Sequence, residues 1–253
     1  MTNLYIAGVD VGGTNTVVGL LDPEFRVVAL EKIPTLREQG AESLMDRVAE
    51  CLTALARKHG VPEGGFTLGM GVPGFVDPEA GIAIENANLG WRNVPVSEGM
   101  RRRIGVPAAV DNDVRMYVYG EATRGAGRGA RHVLGITLGT GLAAAYVEDG
   151  RLFYGGGNMA GELGHLVFDG IPHHCNCGLV GCLETVASAT GIARTARWLI
   201  ERKGRKSVLQ EWFPGDGLPK MTAWDVSRAY DAGDATAAEV YELVGTYLGK
   251  GLA

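Results

Sequence analysis

His165, Cys175, Cys177 and Cys182 gather three of the chain's four cysteines and one imidazole into a short stretch that Glu162 and Glu184 bracket. Tetrahedral Zn²⁺ accepts three thiolates and one neutral imidazole, and Cys175, Cys177 and Cys182 let one tight loop supply three of those ligands. A metal held there would fix where the neighbouring carboxylates point. The competing reading is buried cysteines acting as small apolar groups beside a satisfied core histidine. A disulfide suits the pattern poorly, because Cys175 and Cys177 are too close in sequence to pair comfortably and no secretory leader is visible. A reduced, cytoplasmic setting is expected.

A second kind of chemistry is suggested by glycine. The chain has 39 glycines in 253 residues, about twice the usual share, and they cluster after apolar runs where backbone can approach a ligand closely. Asp10-Val11-Gly12-Gly13-Thr14-Asn15 places an acid before a glycine turn and a hydroxyl after it. Backbone N–H groups of such a turn can cradle phosphate oxygens while Asp10 holds hydrated Mg²⁺. A glycine-rich hairpin without any ligand would look much the same. Gly139-Thr140-Gly141 repeats the arrangement between two further apolar runs. Two such turns on two successive meanders suggest a duplicated ATPase design with nucleotide between two lobes.

The elements that must carry these turns are legible from periodicity. Strands are expected at 4–9, 17–21 and 25–30, joined as a meander with a turn at Asp22-Pro23-Glu24. Leu44, Val48, Leu52 and Leu55 recur at helical spacing over 42–59, closed by Gly60 and Pro62. Buried strands at 67–72 and 106–110 deliver Pro73-Gly74 and Asp111-Asn112-Asp113 at their ends, where an open α/β sheet places its ligands. A helix over 114–121 follows. Asp113 could cap it, Asp being a good N-cap, instead of acting chemically. Arg101-Arg102-Arg103 belongs on the solvated face of a short helix ending at Gly105. With a formal charge of −5, nucleic acid is not an expected partner, and no apolar run approaches the length needed to cross a bilayer.

Asp10-Val11-Gly12-Gly13-Thr14, Leu138-Gly139-Thr140-Gly141, Asn88-Leu89-Gly90-Trp91, Asn112-Asp113, Glu162-Leu163-Gly164-His165 and the run from Cys175 through Cys182 to Glu184 together resemble the ROK family of sugar kinases, within the actin-like ATPase superfamily. The likeness runs almost end to end. It implies an α/β, two-lobed actin-like (ribonuclease H-like) fold with a zinc-binding loop. The implied lobes are a smaller one over 1–118, with the first phosphate motif and the catalytic acid, and a larger one over 119–253. It implies phosphorylation by ATP of a hexose, glucose at O6 foremost, with Asp113 as general base. The hexose would contact Asn88, Asn112, Asp113, Glu162, His165 and Glu184. Nucleotide and Mg²⁺ would engage Asp10, Gly12, Gly13, Thr14, Asn15, Gly139, Thr140 and Gly141, and Zn²⁺ would bind His165, Cys175, Cys177 and Cys182. Relatives of this kind are usually dimers or tetramers, so a homo-oligomer is expected.

Three departures from the family pattern qualify the expectation. Arg115 stands where Asn is common, and its guanidinium could pair with Asp111 or lower the pKa of Asp113. Ala143-Ala144-Ala145 replaces further glycines after the second turn, which would tighten phosphate access. The sequence stops at Ala253, inside an expected helix and before a glycine-rich adenosine segment, and is therefore expected to be truncated at the C-terminus. A sugar-binding protein without turnover is the alternative. A sugar-responsive transcription factor would need a DNA-binding helix-turn-helix ahead of the first strand, where no room is expected. Trp91 and Trp212 offer apolar faces for a sugar ring, yet either could simply be core.

Overall fold

The computed structural model describes residues 4–86 and 88–253. The expected meander is present: β1 (Tyr5–Val11), β2 (Asn15–Leu21) and β3 (Val27–Pro34) pair antiparallel in sequence order. Helix α1 (Gly40–Lys58) then carries the chain to β4 (Phe66–Val72), which lies parallel to β1. The buried face of α1 presents Leu44, Val48, Leu52 and Leu55 to Val9, Val11, Leu68 and Met70 of the sheet. Burial of each such side chain contributes roughly 1.5–3 kcal/mol.

Three short strands follow that periodicity alone did not separate: β5 (Phe75–Asp77), β6 (Ile82–Asn86) and β7 (Trp91–Val94), a small antiparallel sheet of its own. Strands of three to five residues are too short to show alternation above noise. Trp91 is buried in the core of this region, 4% exposed, so its ring has no face left for a sugar.

Helix α2 (Val96–Ile104) ends as expected at Gly105, whose φ of 70° supplies the left-handed cap and whose N–H donates to the Arg101 carbonyl at 2.9 Å. Arg101 and Arg102 do lie on its solvated side, facing Glu98. Arg103 does not: it turns onto α1 and pairs with Glu42 at 2.8 Å and Asp46 at 2.6 Å.

Strand β8 (Ala108–Asn112) adds in parallel to β4, giving the mixed order β3-β2-β1-β4-β8. It begins and ends two residues later than the expected 106–110, so Asn112 is its last residue. Helix α3 (Asp113–Arg124) starts immediately and packs on β4 and β8.

Then come β9 (His132–Leu138), β10 (Leu142–Glu148) and β11 (Arg151–Leu152), forming another three-stranded sheet. The remaining helices are α4 (Ala189–Lys203), α5 (Leu209–Trp212), α6 (Ala223–Asp231) and α7 (Ala235–Leu252). They enclose a core that includes Leu183, Leu199, Leu209, Val226 and Val240. Side-chain caps start three of them: Ser188 for α4, the Thr222–Asp225 capping box for α6 and Asp234 for α7. Among the described residues, no helix is long and apolar enough to cross a membrane.

The chain forms two compact units, Met1–Val133 with Val147–Asn158, and Leu134–Tyr146 with Met159–Ala253. The first unit thus extends past the boundary expected after residue 118. The reason is α3, which runs through that position with Val118 fully buried. A division there would cut one helix's hydrogen bonds.

Candidate active site and metal centre

In the first unit, strand register sets the geometry. Asp10 of β1 pairs with Gly71 of β4, and Gly71 pairs with Asp111 of β8, so two acids flank a residue with no side chain in one row across the sheet. Helix α3 begins over that gap. A Cβ on Gly71 would lie 3.2 Å from the Cα of Asp113. Asp10, Gly71, Asp113 and Met116 line one groove of about 450 Å³ on this face.

Both carboxylates are shifted upward. Burial raises the pKa of Asp10 above the usual carboxylate value. Asp113 is also raised, by burial first and then by the negative charge of Asp10, although its own carboxylate accepts from the N–H of Val114 at 2.9 Å. A carboxylate pushed towards protonation is a stronger base when ionised, and two acids near one another favour a divalent cation over two bare charges.

The helix cap is Asn112, not Asp113. The Asn112 side-chain oxygen accepts from the N–H groups of Val114 at 3.0 Å and Arg115 at 3.1 Å, while its amide donates to the Gly74 carbonyl at 3.0 Å. Asp113 is therefore not needed as the cap. Arg115 resolves in favour of Asp111, at 3.3 Å. The pKa of Asp113 moves up, not down, so Arg115 does not hold it low.

The first glycine turn is tightly closed. The N–H of Gly12 donates to the Asn15 carbonyl at 3.0 Å, and a Cβ on Gly12 would approach that oxygen to 2.8 Å. Gly13, Thr14 and Asn15 are exposed. Thr35, buried just beyond β3, braces the turn: its hydroxyl donates to the Gly12 carbonyl at 2.7 Å and meets the Thr16 hydroxyl at 3.0 Å. Nothing near Thr35 in the sequence announces this partner, which lies 23 positions away. Asn86 was missed as well. It is buried, donates to the Pro73 carbonyl and accepts from the Leu89 N–H at 2.9 Å, framing the exposed turn that carries Asn88.

The second unit holds the other glycine turn and the cysteine loop. The Gly139 N–H donates to the Gly141 carbonyl at 3.0 Å, and the start of α4 braces the turn: the Ala189 N–H reaches the Gly139 carbonyl at 2.9 Å and the Thr190 hydroxyl the Thr140 carbonyl at 2.7 Å. Gly141 sits against Glu184, where a Cβ would lie 2.7 Å from Oε2. Ala144 and Ala145 are buried within β10, beyond the turn. Glu162 precedes a one-turn helix over Leu163–His165 that packs against a second over Leu183–Thr185, so Glu162, His165 and Glu184 stand on adjoining turns.

Ligand atoms of His165, Cys175, Cys177 and Cys182 all lie within 4.8 Å of one another. Cys175 Sγ is 3.7 Å from His165 Nδ1, and Cys177 Sγ is 3.5 Å from Cys182 Sγ. A zinc tetrahedron with bonds of about 2.0–2.3 Å has edges of roughly 3.5–3.8 Å; these two spacings match it, and the widest separation in the set, up to 4.8 Å, would have to close by about 1 Å on binding. The sulfurs are too far apart for a disulfide. Burial pushes the Cys175 thiol up to about 12, whereas the N–H of Leu179 draws Cys177 down. With its thiol protonated, Cys175 donates to Glu184 Oε1 at 3.2 Å, so the cluster adjoins that carboxylate. Cys51 lies on α1, apart from this cluster. Trp212 is partly exposed, with Arg228 stacked on its ring at 4.8 Å.

A mixed sheet ending in paired acids, two braced glycine turns and a Cys₃His cluster whose donors could hold a metal ion characterise this α/β protein. The ROK family profile matches residues 6–253, and the chain belongs to that family. A glucokinase from Halalkalibacterium halodurans is 38% identical over 258 residues, covering 100% of this chain and 76% of the relative. The solved structure of a ROK family glucokinase from Streptomyces griseus, in complex with glucose and AMPPNP, superposes with a TM-score of 0.75 at 29% identity, covering 98% of this chain and 78% of that one. An N-acetylglucosamine repressor from Escherichia coli is 28% identical over 254 residues, covering 99% of this chain and 60% of the relative.

Proposed function

We propose that this chain phosphorylates a hexose hydroxyl, most simply glucose at O6, with Asp113 as general base. It is an ATP-dependent sugar kinase. The observation that carries the residue assignment is the approach of Asp113 to Asp10 at the end of the β1-β4-β8 row. Phosphoryl transfer requires alignment and charge neutralisation more than covalent help, so one positioned carboxylate beside a metal-binding acid suffices. Asp113 takes the proton of the attacking hydroxyl. Its raised basicity suits that step. Asp10 would hold hydrated Mg²⁺, which would neutralise charge on the phosphates. The N–H groups of the turns at Gly12–Asn15 and Gly139–Gly141 receive phosphate oxygens.

Hexose hydroxyls need directional polar partners, and Asn88, Asn112, Glu162, His165 and Glu184 supply them. His165, Cys175, Cys177 and Cys182 would hold Zn²⁺, which would fix the elbow carrying Glu184. A homo-oligomer, dimeric or tetrameric, is part of the same proposal. A coupled assay for ADP release across hexoses tests it. Sugar-dependent ADP release supports the reading, and silence with every hexose in metal-replete protein refutes it. The similarity to a repressor favours one alternative, sugar binding without turnover, which calorimetry showing hexose binding with no ADP formed would establish.

A further inference from the structure

The buried ion pair behind the proposed base does more than fill space. Arg115 and Asp111 are both nearly inaccessible, with side chains 6% exposed. Burying two charges costs several kcal/mol unless further hydrogen bonds satisfy them, and here each charge has further partners. Asp111 Oδ1 accepts from the Asn112 N–H at 2.7 Å, and Oδ2 accepts from the Tyr154 hydroxyl at 2.7 Å. Arg115 donates a second time to the Asn158 carbonyl and lies over the Tyr154 ring, 5.2 Å from its centre. Burial and Asp111 together raise the Tyr154 pKa, keeping the hydroxyl a donor.

Two pieces of chain far apart in sequence meet through this pair. One is the β8–α3 junction that presents Asn112 and Asp113. The other is the stretch from Tyr154 to Asn158, which contains Gly155-Gly156-Gly157 and runs on through Met159 to Glu162. Residues 156–158 of that stretch also lie beside β5. Gly155, Gly157 and Asn158 all adopt left-handed backbone, with φ of 66°, 62° and 61°, a conformation that glycine and asparagine adopt more readily than other residues. The arginine bonds to the carbonyl of Asn158, so the turn is held by a side chain from α3.

We propose that Arg115, Asp111 and Tyr154 form a positioning clasp that sets residues 154–158 against the junction bearing Asn112 and Asp113. This rests on the hexose-kinase reading only for its kinetic consequence. The clasp acts through Asp113 and through the segment leading to Glu162, so its loss weakens use of the sugar more than use of ATP. Lysine cannot replace the arginine, because one ammonium on a flexible stem does not reproduce a planar fork reaching a carboxylate and a carbonyl at once.

The test uses the full chain and three changes: Tyr154→Phe, Arg115→Lys, and the double change Asp111→Asn with Arg115→Met, which removes both charges together and guards against misfolding from a lone buried ion. Hydrogen–deuterium exchange is read on peptides covering residues 150–161, with KM for hexose and for ATP measured separately. For Tyr154→Phe the expected result is roughly tenfold faster exchange confined to that segment, with about a fivefold rise in hexose KM and ATP KM within twofold of the parent. Arg115→Lys and the double change should do the same or more. Unchanged exchange in all three, or a Lys variant matching the parent, would overturn the clasp. So would equal loss for both substrates. If the parent protein turns over no hexose, the kinase reading fails, and the exchange experiment alone still decides the clasp.

Discussion

Replacing Asp113 by Asn separates catalysis from folding in opposite directions. The change keeps the side-chain oxygen that accepts from Val114 at 2.9 Å, keeps the volume, and removes only the charge and the proton-accepting ability. Loss of a general base costs about 10²–10⁴-fold in rate, and turnover should fall by that much while hexose affinity stays within a few fold. Stability should move the other way. The carboxyl is raised in the folded protein, by burial and then by Asp10, so over the window above its unfolded value the folded state binds more protons than the unfolded state. Folding stability attributable to this group therefore falls as pH rises through that window. The amide escapes that penalty: the variant should melt higher than the parent at pH 7, and the difference should shrink as the pH falls through about 4 and vanish about a unit lower, where both states of the parent are protonated. Coupled ADP release, calorimetry with hexose, and melting curves at both pH values measure the three quantities. A residual rate within tenfold of the parent places the base elsewhere, and a variant less stable at pH 7 refutes the electrostatic account.

Replacing Cys177 by Ser should remove zinc, measured as metal per chain, and weaken hexose binding more than nucleotide binding, because the loop it closes carries Glu184. Equal loss of both would contradict that division of labour. Thr35→Val deletes the brace under the first glycine turn, leaving the Gly12 carbonyl without its hydroxyl donor; unfolding measurements should show a loss of roughly 1–3 kcal/mol, and ATP titration a raised KM for nucleotide with that for hexose unchanged. Gly71→Ala would place a methyl 3.2 Å from the Cα of Asp113. Displacement of the base by a few tenths of an ångström should cut kcat about tenfold with ATP KM preserved, and an unaffected kcat would show that α3 tolerates the shift.

Local pattern made much of the molecule readable. The meander, the strand before Pro73-Gly74, α1 and the glycine cap at Gly105 all fall where alternation, helical spacing and turn chemistry put them. Boundaries drifted where tertiary contacts extend an element: β8 reaches Asn112 because Val72 pairs with it, and α3 runs to Arg124 because Val118 and Ala122 are buried. Arg103 belonged to a charge cluster by sequence but to α1 by packing. The β5-β6-β7 sheet escaped notice because each strand is too short to carry a period, and Asn86 and Thr35 because their partners are brought near by folding.

The chemical inventory was written in the chain itself: two glycine turns, a Cys₃His set, and acids at strand ends, all recognisable because each is formed by residues close together in sequence. Folding alone decided which acid faces which. Alternation along a strand tells which side a residue occupies but not which strand lies beside it, so only the β1-β4-β8 register could bring Asp10, Gly71 and Asp113 together, whereas the pairing of Arg115 with Asp111, four residues apart, was already open to the sequence. Charge interactions depend on distance through space, and that distance is a property of the assembled sheet.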